Sequence, residues 1–193
     1  ELSLTDVTAD TATLEAGGDM ALSATSGGAL TATAGGALTA ADQSWTSADL
    51  TSTGATTLST AAVGGALSAA AGAELSLTDV TADTATLEAG GALTAERVTA
   101  RVFDAAAGLD AALTDVTLDE ATADVGGDLR VLRGGFLEAR LTAGGRADLE
   151  AVTADRLEVS AATGGVSLTD ATARVALTLD AAGSGNILLN GSM

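Results

Sequence analysis

Residues Glu1 to Gly18 read ELSLTDVTADTATLEAGG, and the same eighteen letters return without a change at Glu74 to Gly91. A chain that repeats itself at short range cannot easily build one irregular core. It stacks copies of a single unit instead. The long duplication exposes a shorter period of about eighteen residues that runs end to end. Successive coils are written 1–18, 19–36, 37–54, 55–72, 73–91, 92–108, 109–127, 128–145, 146–165 and 166–183, with 184–193 opening an eleventh. Glycine pairs close most of them, at Gly17-Gly18, Gly35-Gly36, Gly90-Gly91, Gly126-Gly127, Gly144-Gly145 and Gly164-Gly165. Single glycines at Gly54, Gly72, Gly108 and Gly183 close the others. Glycine suits a tight corner because it reaches positive φ without steric cost.

Within a coil the apolar residues alternate, then skip. The first coil places Leu2 and Leu4, then Val7 and Ala9, then Ala12, Leu14 and Ala16. Coil seven repeats this as Ala111, Leu113, Val116, Leu118, Ala121, Ala123 and Val125. A period of two is the mark of a strand with one buried face, and each skip marks a corner. The pattern predicts three short strands per coil, two of about three residues and one of about five. Strands in equivalent positions pair in parallel at about 4.8 Å per coil, so ten coils make a rod roughly 50 Å long. The predicted fold is all-β, a parallel β-helix of about ten eighteen-residue coils, with residues 1–193 as one solenoid domain. Both ends read as cuts through a repeat, so the expectation is a slice of a longer polypeptide.

Three solenoid types compete. The left-handed hexapeptide helix needs inward residues every six. Here strands start at Leu2, Val7 and Ala12, five apart, before an eight-residue step to Met20. That spacing favours a right-handed parallel β-helix. Pentapeptide solenoids share the five-residue spacing, and Ala48-Asp49-Leu50 and Ala147-Asp148-Leu149 fit their motif, but the double-glycine corner breaks four sides of five.

The interior must be narrow, because Phe and Trp are rare and Tyr is absent. Trp45, Phe103 and Phe136 all align with inward positions and are expected to pack in the core. The net charge of −18 repels nucleic acid and anionic membrane surfaces. No apolar run is long enough to span a bilayer as a helix. Without His, Cys, Lys or Tyr, no common nucleophile–base set can be assembled, and the chain is expected not to be an enzyme. No catalytic or cofactor-binding residue is singled out.

Two corner columns carry the charges. The corner after the first strand reads Asp6, Ala24, Asp42, Thr60, Asp79, Arg97, Asp115, Arg133, Ala151, Asp170. The corner after the second reads Asp10, Gly28, Thr46, Gly64, Asp83, Arg101, Asp119, Leu137, Asp155, Arg174. In neither does Asp follow Asp, as repulsion across one coil spacing would require. Arg97 falls between Asp79 and Asp115, and Arg101 between Asp83 and Asp119. The expectation is an ion-pair ladder up each corner, built from Asp79, Arg97, Asp115 and Arg133 on one and Asp83, Arg101 and Asp119 on the other. Exposed pairs stabilise little, so their main effect is on register.

Ligand readings find less support. Calcium needs six to eight converging oxygens, while these Asp residues are spread along columns; no calcium or other cofactor is expected. An outward column of Thr8, Ser26, Ser44, Ala62, Thr81, Thr99, Thr117, Gly135, Thr153 and Thr172 raises ice binding. A flat ice-binding face would want a second parallel Thr rank, which the neighbouring outward positions do not keep. Threonine's β-propensity explains the column.

The runs GGALTATAGGALTA (27–40), LEAGGALTAERVTARV (87–102) and LRGGFLEARLTAGG (132–145) resemble the haemagglutinin-type repeats of filamentous-haemagglutinin-like exoproteins. These are very large adhesins of Gram-negative bacteria, exported by two-partner secretion. The resemblance lies in Gly-Gly corners, xLxA strands and coils of eighteen to twenty residues. It implies a right-handed β-helical shaft, secreted and held at the cell surface, that extends and displays while recognition lies in other regions. The expected partners are neighbouring repeats or further copies end to end, with a host or cell-surface receptor reached through regions outside this chain. The alternative is a β-solenoid that binds ice, calcium or a glycan.

Overall fold

A computed structural model of the chain describes residues 1–182 and 185–191; Gly183, assigned above to a corner, lies outside them. All regular structure among the described residues is β, in seventeen strands of one sheet. Coil 1 holds β1 (Leu2–Thr5) and β2 (Thr8–Ala16), and coil 2 holds β3 (Met20–Ser23) and β4 (Ser26–Ala34). Coils 3 to 6 each form one long bent strand: β5 (Leu38–Ser52), β6 (Thr56–Ala71), β7 (Leu75–Ala89) and β8 (Leu93–Ala107). Coils 7 to 10 return to two strands each: β9 (Ala111–Thr114) and β10 (Thr117–Val125), β11 (Leu129–Leu132) and β12 (Gly135–Ala143), β13 (Arg146–Glu150) and β14 (Thr153–Ala161), and β15 (Gly165–Thr169) and β16 (Thr172–Ala181). β17 (Ile187–Asn190) lies on β15.

Every pairing is parallel and joins a coil to the next, mostly at a separation of eighteen residues, as in Leu2↔Met20, Ala12↔Leu30 and Leu129↔Ala147. This is a β-solenoid of about ten turns, as the repeat predicts. The strand count per coil differs from the expectation of three. The strand continues through the second corner, so Thr8–Ala16 is one strand, with Ala9 and Thr11 paired to the next coil and the corner residue Asp10 skipped in the pairing. A strand can bend there because the equivalent residue of each stacked coil bends at the same place.

The first corner has a different chemistry. All ten residues of its column, from Asp6 to Asp170, have φ between 50 and 57°. That is the left-handed region, which costs a residue bearing a Cβ roughly 1–2 kcal/mol. Asp tolerates it best, yet Thr60, Arg97 and Arg133 adopt it too. The stack imposes the conformation on whatever residue occupies the corner.

Inward rows run continuously from Met20 to Ala171, with Leu38, Leu77, Val98, Val131 and Leu149 at 0–1% exposure. Each such Leu or Val contributes about 1.5–3 kcal/mol by leaving water. Trp45, Phe103 and Phe136 are buried. Small neighbours make room for two of them. A Cβ on Gly27 would lie 2.8 Å from Trp45 Cζ3 and would overlap the Ala9 carbonyl, and one on Gly134 would lie 2.6 Å from Phe136 Cε2.

Candidate functional site: the corner ladders

The first corner places Arg97 directly above Asp79. Its Nε donates to Asp79 Oδ1 at 2.6 Å and its Nη2 to Oδ2 at 3.0 Å, a two-point grip on the carboxylate. Arg133 holds Asp115 in the same way, at 2.5 and 2.7 Å. In the second corner Arg101 grips Asp83 at 2.9 and 3.2 Å. Each of these arginines reaches back one coil. Arg97 also pairs with Glu96 beside it on the chain, not with Asp115. Asp119 receives no hydrogen bond from Arg101. The predicted continuous ladders are therefore discrete pairs, separated by a coil boundary without a direct contact. A spacing of eighteen residues is the same upward and downward, so sequence alone does not choose between them.

The pairs perturb both partners. The Arg97 guanidinium, by hydrogen bond first, holds the Asp79 carboxyl below the ordinary aspartate value, and Arg101 and Arg133 do the same to Asp83 and Asp115. The three arginines are pushed up in turn. All these groups are exposed, so solvent screens the interaction and its contribution to stability is small.

Two arrangements went unread in the sequence. At the third corner, Asp19 Oδ1 accepts the N–H of Ala37 at 2.9 Å, Asp110 that of Asp128 at 2.8 Å, and Asp128 that of Arg146 at 2.7 Å. Here Asp does follow Asp, because each carboxylate is occupied by a backbone donor. An Asp one or two residues after a coil-closing glycine, as at Asp19, Asp110 and Asp128, was the available signal. Inside coils 2 and 3, Thr25, Gln43 and Trp45 form a buried polar network. The Thr25 hydroxyl donates to Gln43 Oε1, Trp45 Nε1 reaches both at 3.2 Å, and Gln43 Nε2 donates to the Ala41 carbonyl at 2.5 Å. Thr25 and Gln43 occupy an inward column that also holds Ala61, Val80, Val98, Val116, Val152 and Ala171. A polar residue in an inward column was the signal.

On the flank of coils 7 to 10, Glu120, Glu138, Arg140, Arg156 and Glu158 line an open depression of about 410 Å³. Arg156 donates to Glu138 at 2.6 Å, and Arg140 lies 3.9 Å from Glu158. Its charges face one another. Among the described residues no three acidic side chains converge as a metal site would require. The Thr8 column is a true outward rank in register, and Thr8 and Ser26 share a hydroxyl contact at 3.1 Å. No family model, no curated protein and no solved structure matches this chain.

Proposed function

We propose that the chain is a stretch of structural shaft, carried outside a bacterial cell as part of a surface adhesin or filament. The observation that carries this reading is the coil-on-coil register, shifted only by bulges in coils 4 and 10 among the described pairings. Equivalent residues stack coil upon coil through about ten turns, and the inward rows beneath them are apolar except at Thr25, Gln43, Ser52 and Thr56. Binding clefts are made by interrupting such a stack, and here the surface irregularities are shallow and self-paired. A parallel ladder on every face also resists pulling along the axis, because coils separate only when many hydrogen bonds break together. The resemblance to haemagglutinin-type repeats supports the extracellular setting. The shaft has no catalytic role.

Electron microscopy of the purified chain in dilute metal-free buffer tests the reading. Straight rods about 50 Å long, or longer rods with a 4.8 Å axial repeat, are expected. Compact particles would overturn it. A melting temperature raised by calcium, or inhibition of ice growth lost when Thr81, Thr99 and Thr117 are replaced, would substitute a ligand-binding reading.

A further inference from the structure

The eighteen residues Glu1 to Gly18 and Glu74 to Gly91 are identical, and each set receives the following coil in the same way. Leu2 pairs with Met20 and Ala12 with Leu30, as Leu75 pairs with Leu93 and Ala85 with Phe103. Asp6 and Asp79 share a φ of 57°. The face that coil 5 turns toward coil 6 is therefore present twice in the molecule, and coil 1 turns its copy toward coil 2.

The two occupants differ. Coil 6 brings Arg97 and Arg101, which grip Asp79 at 2.6 and 3.0 Å and Asp83 at 2.9 and 3.2 Å. Coil 2 brings Ala24 and Gly28 to the same corners. Asp6 and Asp10 consequently have no ion pair among the described residues. Coil 1 thus holds two unmatched carboxylates in the arrangement that coil 6 grips. The interior agrees, because Phe103, buried against Ala85 of coil 5, would meet the same alanine at Ala12.

We propose that, while the chain folds, coil 6 docks on coil 1 in place of coil 5, in the same register and with the same two arginine grips. Residues 19–91 are then left outside the stack as a loop. The proposal rests on the duplicated coil and not on the shaft reading. The finished rod outlasts this slipped form, which forgoes the stacking of coils 2 to 5. Early in folding the contest is closer. Leu93 lies 18 residues after Leu75 and 91 after Leu2. Contact between two points falls roughly as the 3/2 power of the loop between them, so coil 6 meets coil 1 about one-tenth as often as it meets coil 5. The duplication is then a kinetic trap of the kind that repeat proteins are prone to. Escape requires the ladder between coils 1 and 6 to break before coils 2 to 5 can enter.

The chain has no cysteine, and Thr8, Thr81, Thr99 and Thr117 are all exposed, so cysteine pairs report the contact without touching the core. Thr81 and Thr99 are register partners, about 4.8 Å apart and within disulfide range. In the native rod Thr8 lies five coils from Thr99, roughly 24 Å away and out of reach. In the slipped form it takes the place of Thr81. Full-length Thr8→Cys, Thr99→Cys chains are refolded from guanidinium in dilute oxidising buffer, and the internal disulfide is measured by peptide mass spectrometry. The expected yield is about fivefold that of Thr8→Cys with Thr117→Cys, whose ends meet nearly as often by chance. It is about one-tenth of the yield from Thr81→Cys with Thr99→Cys. Both corner columns already accept arginine, at Arg97 and Arg101, so Asp6→Arg with Asp10→Arg can be added without strain. That change should cut linking of Thr8 to Thr99 about threefold and leave linking of Thr81 to Thr99 as it was. Equal linking of Thr8 to Thr99 and to Thr117 overturns the proposal. An excess that the two added arginines leave untouched overturns it as well, since the docking would not then be the one that coil 5 makes.

Discussion

Coils 2 to 4 and coils 6 to 9 have the same backbone and opposite chemistry. Residues 19–72 contain three charged side chains, Asp19, Asp42 and Asp49, while residues 92–165 contain twenty, including seven of the eight arginines. The interior is reversed. The four buried polar side chains among the described residues, Thr25, Gln43, Ser52 and Thr56, all lie in coils 2 to 4, and the core of coils 6 to 9 is apolar throughout. A ladder that could slip by one residue would turn its whole buried face outward, so each half needs something to fix register. One half fixes it from within, by hydrogen bonds that only one alignment satisfies. The other fixes it from outside, by arginines that reach a carboxylate on a neighbouring coil, such as Arg97, Arg101, Arg133 and Arg156.

Breaking the inner device should have the largest effect. Trp45→Ala removes a large buried ring and the acceptors' shared donor, and should cost about 3–5 kcal/mol. Phe103→Ala in the charged half should cost a similar amount, since both lose ring volume. The two separate in hydrogen exchange. Trp45→Ala should expose amides across coils 2 to 4, with coils 6 to 9 still protected, because a solenoid couples only neighbouring repeats. Equal exchange in both halves would mean that the rod unfolds as one unit.

Gln43→Val comes next. It leaves the buried Thr25 hydroxyl without its acceptor and Trp45 Nε1 with one partner of two, and should cost about 1–3 kcal/mol. The triple change Thr25→Val, Gln43→Val and Trp45→Phe gives coils 2 and 3 the apolar column of the other half. Removing all partners together should restore most of that loss. Chemical denaturation of the two variants decides the point, and a triple variant no more stable than the single one would show that the network is worth more than its parts.

Much of this was legible because the repeat multiplies each signal. The columns through Asp6 and Thr8 follow from the eighteen-residue spacing alone, and the paired residues are those the spacing gives. What spacing does not carry is direction and continuity. It leaves open whether Arg97 turns toward Asp79 or Asp115, and it does not show that a strand bends through Asp10 and resumes its pairing on the far side. Gln43 was hidden for a different reason. An inward glutamine is read as an exception until Thr25, eighteen residues earlier, is seen to face it.

The first corner offers a smaller change, shared by both halves. Thr60 is β-branched and has φ 52°. Thr60→Gly should relieve about 1 kcal/mol of backbone strain, net of the extra freedom glycine gains when unfolded. Ala24→Gly and Ala151→Gly should gain less, since alanine lacks the branched Cβ. A thermal melt in which Thr60→Gly lowers stability would show that the stack, not the residue, bears the strain.

The outer device should give the smallest effect and the clearest pH signature. Arg101→Glu sets a third carboxylate between those of Asp83 and Asp119, where the wild type has a gripped pair. The folded pKa of Asp83 is depressed by Arg101. Its contribution is therefore present above the unfolded value of about 3.9 and is lost as pH falls through the folded one. At neutral pH Arg101→Glu should melt below the wild type. In acid the wild type loses its pair and the variant loses its repulsion, so the two melting curves should converge. Thr46→Glu, at the same corner between Gly28 and Gly64, has no neighbouring charge in its column and should shift melting at neither pH. If Arg101→Glu and Thr46→Glu behaved alike, the charged half would owe its register to its apolar rows, and the arginines would be surface decoration on a stack already aligned from within.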